Sequence, residues 1–291
     1  MKNFVLAITM LASCSVSFAQ VPGFPKGQRQ VTQQQAGLAQ AKRDALAKSG
    51  HSPDDSTTCA FNFTSGSNNT FLNFCVTGNG NVVVLETPQG VPQVSFSEGE
   101  GYGVCDLNTN VAYSDYGDFN TNGSGNWGPA TVVSHSGTSV KIARTSTDGI
   151  WTLTQVITQV SGNTPNVKIA MSLKNNTGIE RAAFLMRYAD VDADATEQNN
   201  LDATFNTAMA YNSILGNGGG GAPFGLTLQN IGNTRFPFDA FAQNTFEPPD
   251  PCNPFASIAG PTVADGSIVQ LYFLDLAKAG SGTVTVAYRG M

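Results

Sequence analysis

The sequence predicts an all-β fold: a large antiparallel two-sheet sandwich of meander or Greek-key type, with about twelve or more strands and a short N-terminal helical arm. Three observations carry this. From Cys59 onward apolar residues recur at every second position in run after run, which is the period of a half-buried strand. Short turn signals such as "GNGN", "STDG", "SGNTPN" and "NNTG" separate the runs. The composition, with 31 Gly and only 12% charged residues, suits a turn-rich extracellular β protein better than a helical one.

The first residues read as a processing segment. Lys2 supplies a positive charge, "FVLAITMLAS" is too short to span a bilayer, and "SFA" places small residues for cleavage after Ala19. "LASC", ending at Cys14, resembles a bacterial lipobox, so a lipid-tethered periplasmic protein is the alternative. The expected division is a signal peptide over 1–19, an arm over 20–58 and a β-sandwich over 59–291. In the arm, "QVPGFPKGQRQ" is rich in Pro, Gly and Gln, a composition of unstructured chain. "TQQQAGLAQAKRDALAKSG" follows, with Thr32 and Gln35 spaced as a capping box and Gly50 as a stop; its thin apolar stripe predicts a short helix.

Beyond Cys59 the strand runs are "NVVVLETP", "SVKIARTS", "WTLTQVITQV", "NVKIAMSLKN", "RAAFLMRYADVD", "SIVQLYFLDL" and "GTVTVAYRGM". In "WTLTQVITQV", Trp151, Leu153, Gln155 and Ile157 face one way and the threonines and Val156 the other. Two stretches break the pattern. "NGGGGAP" (217–223) reads as a loop, and "FPFDAFAQNTFEPPDPCNPF" (236–255) as a long loop whose phenylalanines cover one end of the core or form an apolar lip.

Cleavage after Ala19 removes Cys14 and leaves Cys59, Cys75, Cys105 and Cys252, an even number suited to an oxidising compartment. A hairpin centred near Ser67 sets Cys59 opposite Cys75, which leaves Cys105 and Cys252 to close a long loop. Zinc is the rival reading, but no C-x-x-C spacing occurs and the chain has only two histidines. Of the 21 acidic and 15 basic residues, three and six precede Cys59, so the rest carries 18 and 9, a net charge of −9. An acidic body without a basic stripe speaks against nucleic acid and anionic membranes, and makes cations the natural ligands. No stretch has the ~18 apolar residues of a transmembrane helix.

His51 falls in the arm, so histidine-based catalysis would depend on His135 alone, and no nucleophile elbow, zincin or P-loop pattern is present. Carboxylates remain. They cluster in "SEGEGYGVCD", with Glu98, Glu100 and Asp106 around Tyr102; in "SDYGDFNTNG", with Asp115 and Asp118; and in "RYADVDADATEQNN". A pair about 5–10 Å apart could hydrolyse a glycosidic bond. "DFNTNG" matches the first half of an EF-hand loop, which makes Asp118, Asn120 and Asn122 candidate Ca2+ ligands, but Pro129 stands where the bidentate Glu belongs. Asp190, Asp192 and Asp194 share one strand face beyond Phe184, Met186 and Tyr188; a cation, Arg181 or Arg187, or water at a strand end would relieve their repulsion. Trp127, in a Gly/Asn loop, and Tyr102 are the candidate ligand-binding aromatics.

These features predict a secreted or cell-surface β-sandwich with a non-enzymatic binding or structural role, stabilised by Ca2+, with carbohydrate or another surface protein as partner. A carbohydrate-binding module, or a glycosidase or lyase using Asp and Glu, is the alternative.

Overall fold

The computed structural model describes residues 59–94, 99–117, 125–212, 224–232 and 235–291. The signal peptide and helical arm expected over 1–58 lie outside the described residues. The chain runs through β1 (Cys59–Ser65), β2 (Leu72–Thr77), β3 (Val82–Glu86), β4 (Pro92–Val94), β5 (Glu100–Asp106), β6 (Val111–Tyr116), β7 (Thr131–Ser136) and β8 (Ser139–Thr145). It continues through β9 (Trp151–Val160), β10 (Asn166–Asn175), β11 (Arg181–Asp190), β12 (Asn199–Thr204), β13 (Thr207–Tyr211) and β14 (Gly225–Asn230). β15 (Phe238–Gln243), β16 (Ile258–Ala259), β17 (Thr262–Ala264), β18 (Ser267–Leu276) and β19 (Ser281–Gly290) complete it.

The fold is all-β, as the alternation predicts, and every pairing is antiparallel. Nine strands form one sheet in the order β17-β12-β13-β14-β19-β10-β9-β8-β7, and six form a second in the order β16-β15-β18-β11-β5-β6. The first four strands make a third sheet of their own, beyond the two sheets that the alternation predicts. The long central strands alternate as their sequences require. β9 buries Trp151, Leu153, Gln155 and Ile157 and leaves the residues between them half-exposed.

One apolar core draws on all three sheets: Ile157, Ile169 and Val286 from the nine-stranded sheet, Val104, Leu185 and Leu274 from the six-stranded one, Phe63 and Phe74 from the small one. A smaller core of Met186, Tyr188, Phe241, Val269 and Leu271 lies on the other face of the six-stranded sheet. The segment after β15 closes this second core. Cys252 is bonded to Cys105 of β5, the Tyr188 hydroxyl donates to the Phe246 carbonyl, and the Tyr116 hydroxyl donates to the Pro249 carbonyl at 2.8 Å. Pro251 lies so close over Gly103 that a Cβ there would stand 2.6 Å from its ring. The expected long loop over 236–255 is in part a strand, since Phe238–Gln243 is β15 paired with β18; Phe236, Phe241 and Phe246 are buried, and Phe255 near the far end is exposed.

Both expected disulfides form, Cys59–Cys75 across the first hairpin and Cys105–Cys252 over a separation of 147 residues. Paired cysteines of this kind suit an extracellular or periplasmic location. Among the described residues no helix is long and apolar enough to cross a membrane.

Candidate functional site

Two polar centres stand out. The first lies inside the sandwich, where an arginine interrupts an apolar strand face. Leu185 and Ala189 of β11 point into the core, and Arg187 between them does the same at 0% exposure. A guanidinium cannot shed its proton, so burial requires acceptors around it. Glu100 of β5 supplies two: Nε donates to Oε1 at 2.5 Å and Nη2 to Oε2 at 2.8 Å. Gln155 of β9 accepts from Nη1 at 2.6 Å and the Gly80 carbonyl from Nη2 at 3.2 Å. Glu100 also accepts from the Tyr288 hydroxyl of β19 and from the Val82 backbone N–H, each at 2.6 Å. Burial pushes the Glu100 carboxyl above its ordinary value, and the charge of Arg187 and these hydrogen bonds pull it back. Two N–H donors aligned on two carboxylate oxygens make this an ion pair.

The turn between β2 and β3 reaches into this interior. Asn81 donates from Nδ2 to the carbonyls of Glu100 and Asp115, and the Asn79 carbonyl accepts from the Tyr102 hydroxyl at 2.8 Å. Gly80 sits at φ +94°, and a Cβ there would meet Gln155 Nε2 at 2.5 Å, so the close approach requires glycine. Beside it Arg144 of β8 pairs with Asp115 of β6 and donates to Tyr102 Oη at 3.0 Å. Burial and the nearby Asp115 charge raise the Tyr102 phenol well above its ordinary value. Arg181 pairs with Asp106 at 2.5 Å. Neither Arg181 nor Arg187 therefore neutralises the aspartates after β11, as the sequence left open. Each arginine holds a carboxylate of another strand.

The second centre lies at the end of β11. The strand stops at Asp190, and a 3-10 turn over Ala193–Ala195 follows, with Asp194 at φ +56°. The expected alternation fails there: Asp190 and Asp192 are buried, while Asp194 is exposed and takes no part in the cluster. Its place is taken by Asp265. The β11–β18 ladder ends with Asp190 opposite Ser267 of β18, which brings Asp265, two residues before it, to the end of β11. The three aspartates bring one carboxylate oxygen each within 4.8 Å of one another, at 0%, 8% and 7% exposure. Register was the signal that could have identified Asp265, which in the sequence is one more Asp-Gly turn.

The other candidates fall elsewhere. Asp118, Asn120 and Asn122, together with Glu98, lie outside the described residues. Trp127 is buried, with its ring 6.1 Å from Tyr102 and 5.8 Å from Tyr113 between centroids, and Tyr102 is buried as well. Neither ring presents a face on which a sugar could stack. His135 lies on the exposed strand β7, 4.9 Å from the Phe61 ring. A shallow open depression beside Trp127 is lined by Gly128, Pro129, Thr131 and Thr145, with Ser146 and Thr147 at its edge.

No family model and no curated protein matches the sequence. Among solved structures the chain is similar to a bacterial glucoamylase complexed with acarbose, at 14% identity and a TM-score of 0.48, over 82% of this chain and 34% of that one. The chain thus spans about a third of the glucoamylase's length. It is also similar to a putative aldose 1-epimerase from Escherichia coli K12, at 8% identity and a TM-score of 0.45, over 79% of this chain and 99% of that one. Likenesses this distant leave substrate and chemistry to be read from the residues themselves.

Proposed function

We propose that the chain is an exported β-sandwich protein with a binding or structural role, exercised by its surface rather than by a catalytic cleft. The observation that carries this reading is the disposition of its charged interior. Glu100, Asp106 and Asp115, one or more from each of the first two acidic clusters, are each paired with an arginine of another strand. Tyr102 and Tyr288, the hydroxyls beside them, are buried in the same bonds. A general acid or nucleophile must reach a substrate, and a carboxylate held between strands by a buried guanidinium does not. The same pairs tie β5, β6, β8 and β11 together, which favours rigidity, a useful property in a surface or structural component.

The test is a panel of polysaccharides and chromogenic glycosides incubated with the purified full-length chain, read as release of reducing ends or chromophore. The expected result is no release above a heat-inactivated control, with the chain recovered in the periplasmic or extracellular fraction. Reproducible release would overturn the reading in favour of a carbohydrate-active enzyme.

A further inference from the structure

We propose that Asp190, Asp192 and Asp265, together with Asn199, form a Ca2+ site that fastens the end of β11 to the β12 and β17–β18 segments. Three buried carboxylates whose oxygens fall within 4.8 Å of one another offer a divalent cation three hard oxygen ligands at one point. An acidic cluster alone would not make a site. The independent observation is Asn199. Its side chain is fully buried, and its Nδ2 donates to the carbonyl of Val191, the residue between Asp190 and Asp192, at 2.8 Å, and to that of Thr196 at 2.6 Å. Its cross-strand neighbour is Ala264, the residue before Asp265. Asn199 thus bonds through its side chain to the residue between Asp190 and Asp192 and pairs through its backbone beside Asp265, and its Oδ1 has no hydrogen-bond partner among the described residues. A buried amide oxygen in that position is a fourth ligand atom of the right kind.

The chemistry of the set selects the metal. All four donors are hard oxygens, with no thiolate or imidazole, so the site suits Ca2+ or Mg2+ rather than a transition metal. Opposed ligands lie about 4.6–5.2 Å apart across a Ca2+ ion and only about 4.0–4.2 Å across Mg2+. Carboxylate oxygens within 4.8 Å of one another can share one ion of either size; Ca2+ is the better match because it accepts an irregular shell of protein oxygens, whereas Mg2+ keeps several of its waters. Main-chain carbonyls and water complete its shell.

The experiment uses the full-length chain stripped with EGTA and read in two ways: calorimetric titration with CaCl2, and Tb3+ luminescence excited through tyrosine. Tyr188 serves as the antenna, because its buried hydroxyl feels the charges of Asp190 and Asp265. One Ca2+ per chain is expected, with Tm raised by about 5–10 °C at a hundredfold excess over Kd. Asp265→Asn and Asn199→Ala should each weaken Ca2+ binding tenfold or more and reduce Tb3+ emission, while Asp194→Asn stays within twofold of wild type. Should Asp265→Asn fail to fold, the uncharged Asn199→Ala variant and the Ca2+-over-Mg2+ preference of the wild type decide. No heat of binding and no Tm change at millimolar Ca2+, or binding unaltered by Asn199→Ala, overturns the proposal. The outcome is independent of the turnover panel, because a cation can fasten these strands whether or not the chain is an enzyme.

Discussion

Removing Cys105–Cys252 should destabilise the protein more than removing Cys59–Cys75, by an amount set by the lengths of chain they close. The separations are 147 and 16 residues. Loop-closure entropy in the unfolded chain gives about 5 kcal/mol for the longer crosslink and about 3 kcal/mol for the shorter, a difference of about 2 kcal/mol. That difference is the more robust quantity, because the native-state losses are matched. Each bridge joins one buried sulfur, Cys105 or Cys75, to a half-buried one, Cys252 or Cys59. The longer bridge also leaves other ties in place when it is cut, since Tyr116 and Tyr188 still hold the segment through the carbonyls of Pro249 and Phe246. The native fold should therefore survive. The assay is urea unfolding of Cys105→Ala/Cys252→Ala beside Cys59→Ala/Cys75→Ala, with near-UV circular dichroism to confirm native packing. The long-loop variant should also melt about 4–8 °C below the other. Equal losses, or a greater loss from the short bridge, would refute the assignment of these bonds as constraints on the unfolded chain.

Three further outcomes follow from the same structure. Gly101→Ala places a Cβ 1.9 Å from the Asp115 carbonyl oxygen, at the end of the β5–β6 pair, and should cost about 3 kcal/mol or more in chemical unfolding. Asp148 behaves oppositely to Glu100: burial alone would raise its carboxyl, but hydrogen bonds from Ser146, Tyr113 and the Ile150 N–H more than offset this and lower it. Its contribution to stability is therefore present above the unfolded pKa and lost as pH falls through the lower folded value, so Asp148→Asn should flatten the stability curve below about pH 4. The phenols of Tyr102, Tyr188, Tyr272 and Tyr288 are raised chiefly by burial, and absorbance titration should show them ionising only as the protein unfolds in alkali.

Much of the sandwich was legible because period-two patterns determine which face of a strand is buried. "WTLTQVITQV" and "NVKIAMSLKN" pair residue for residue as β9 and β10, and the hairpin around Ser67 brings Cys59 and Cys75 together. The interior network was only half legible. Arg187 sits on the same strand face as Leu185 and Ala189, and Gln155 on the face of Leu153 and Ile157, so each announced a buried polar group in need of a partner. Which partner each would find depends on strand order, and local spacing carries none of that. The same limit applies to the aspartates. Alternation placed Asp190 and Asp192 together, but β11 ends at Asp190, the left-handed turn at Asp194 leaves that residue exposed, and Asp265 comes from the turn between β17 and β18. Trp127 stands in a Gly/Asn loop that suits a ligand-binding ring, yet Tyr102 of β5 and Tyr113 of β6 enclose it.

The central claim is that the buried Arg187–Glu100 pair, through which β5 and β11 bond to Gln155 of β9 and Tyr288 of β19, clamps the interior. A double-mutant cycle on Arg187→Met and Glu100→Gln measures this most directly. Each single change strands a buried partner and should cost about 3–5 kcal/mol. The double variant removes both charges, and its loss should fall short of the sum of the singles by about 2 kcal/mol or more. Single losses below about 1 kcal/mol, or strict additivity within about 0.5 kcal/mol, would contradict a clamp at this position.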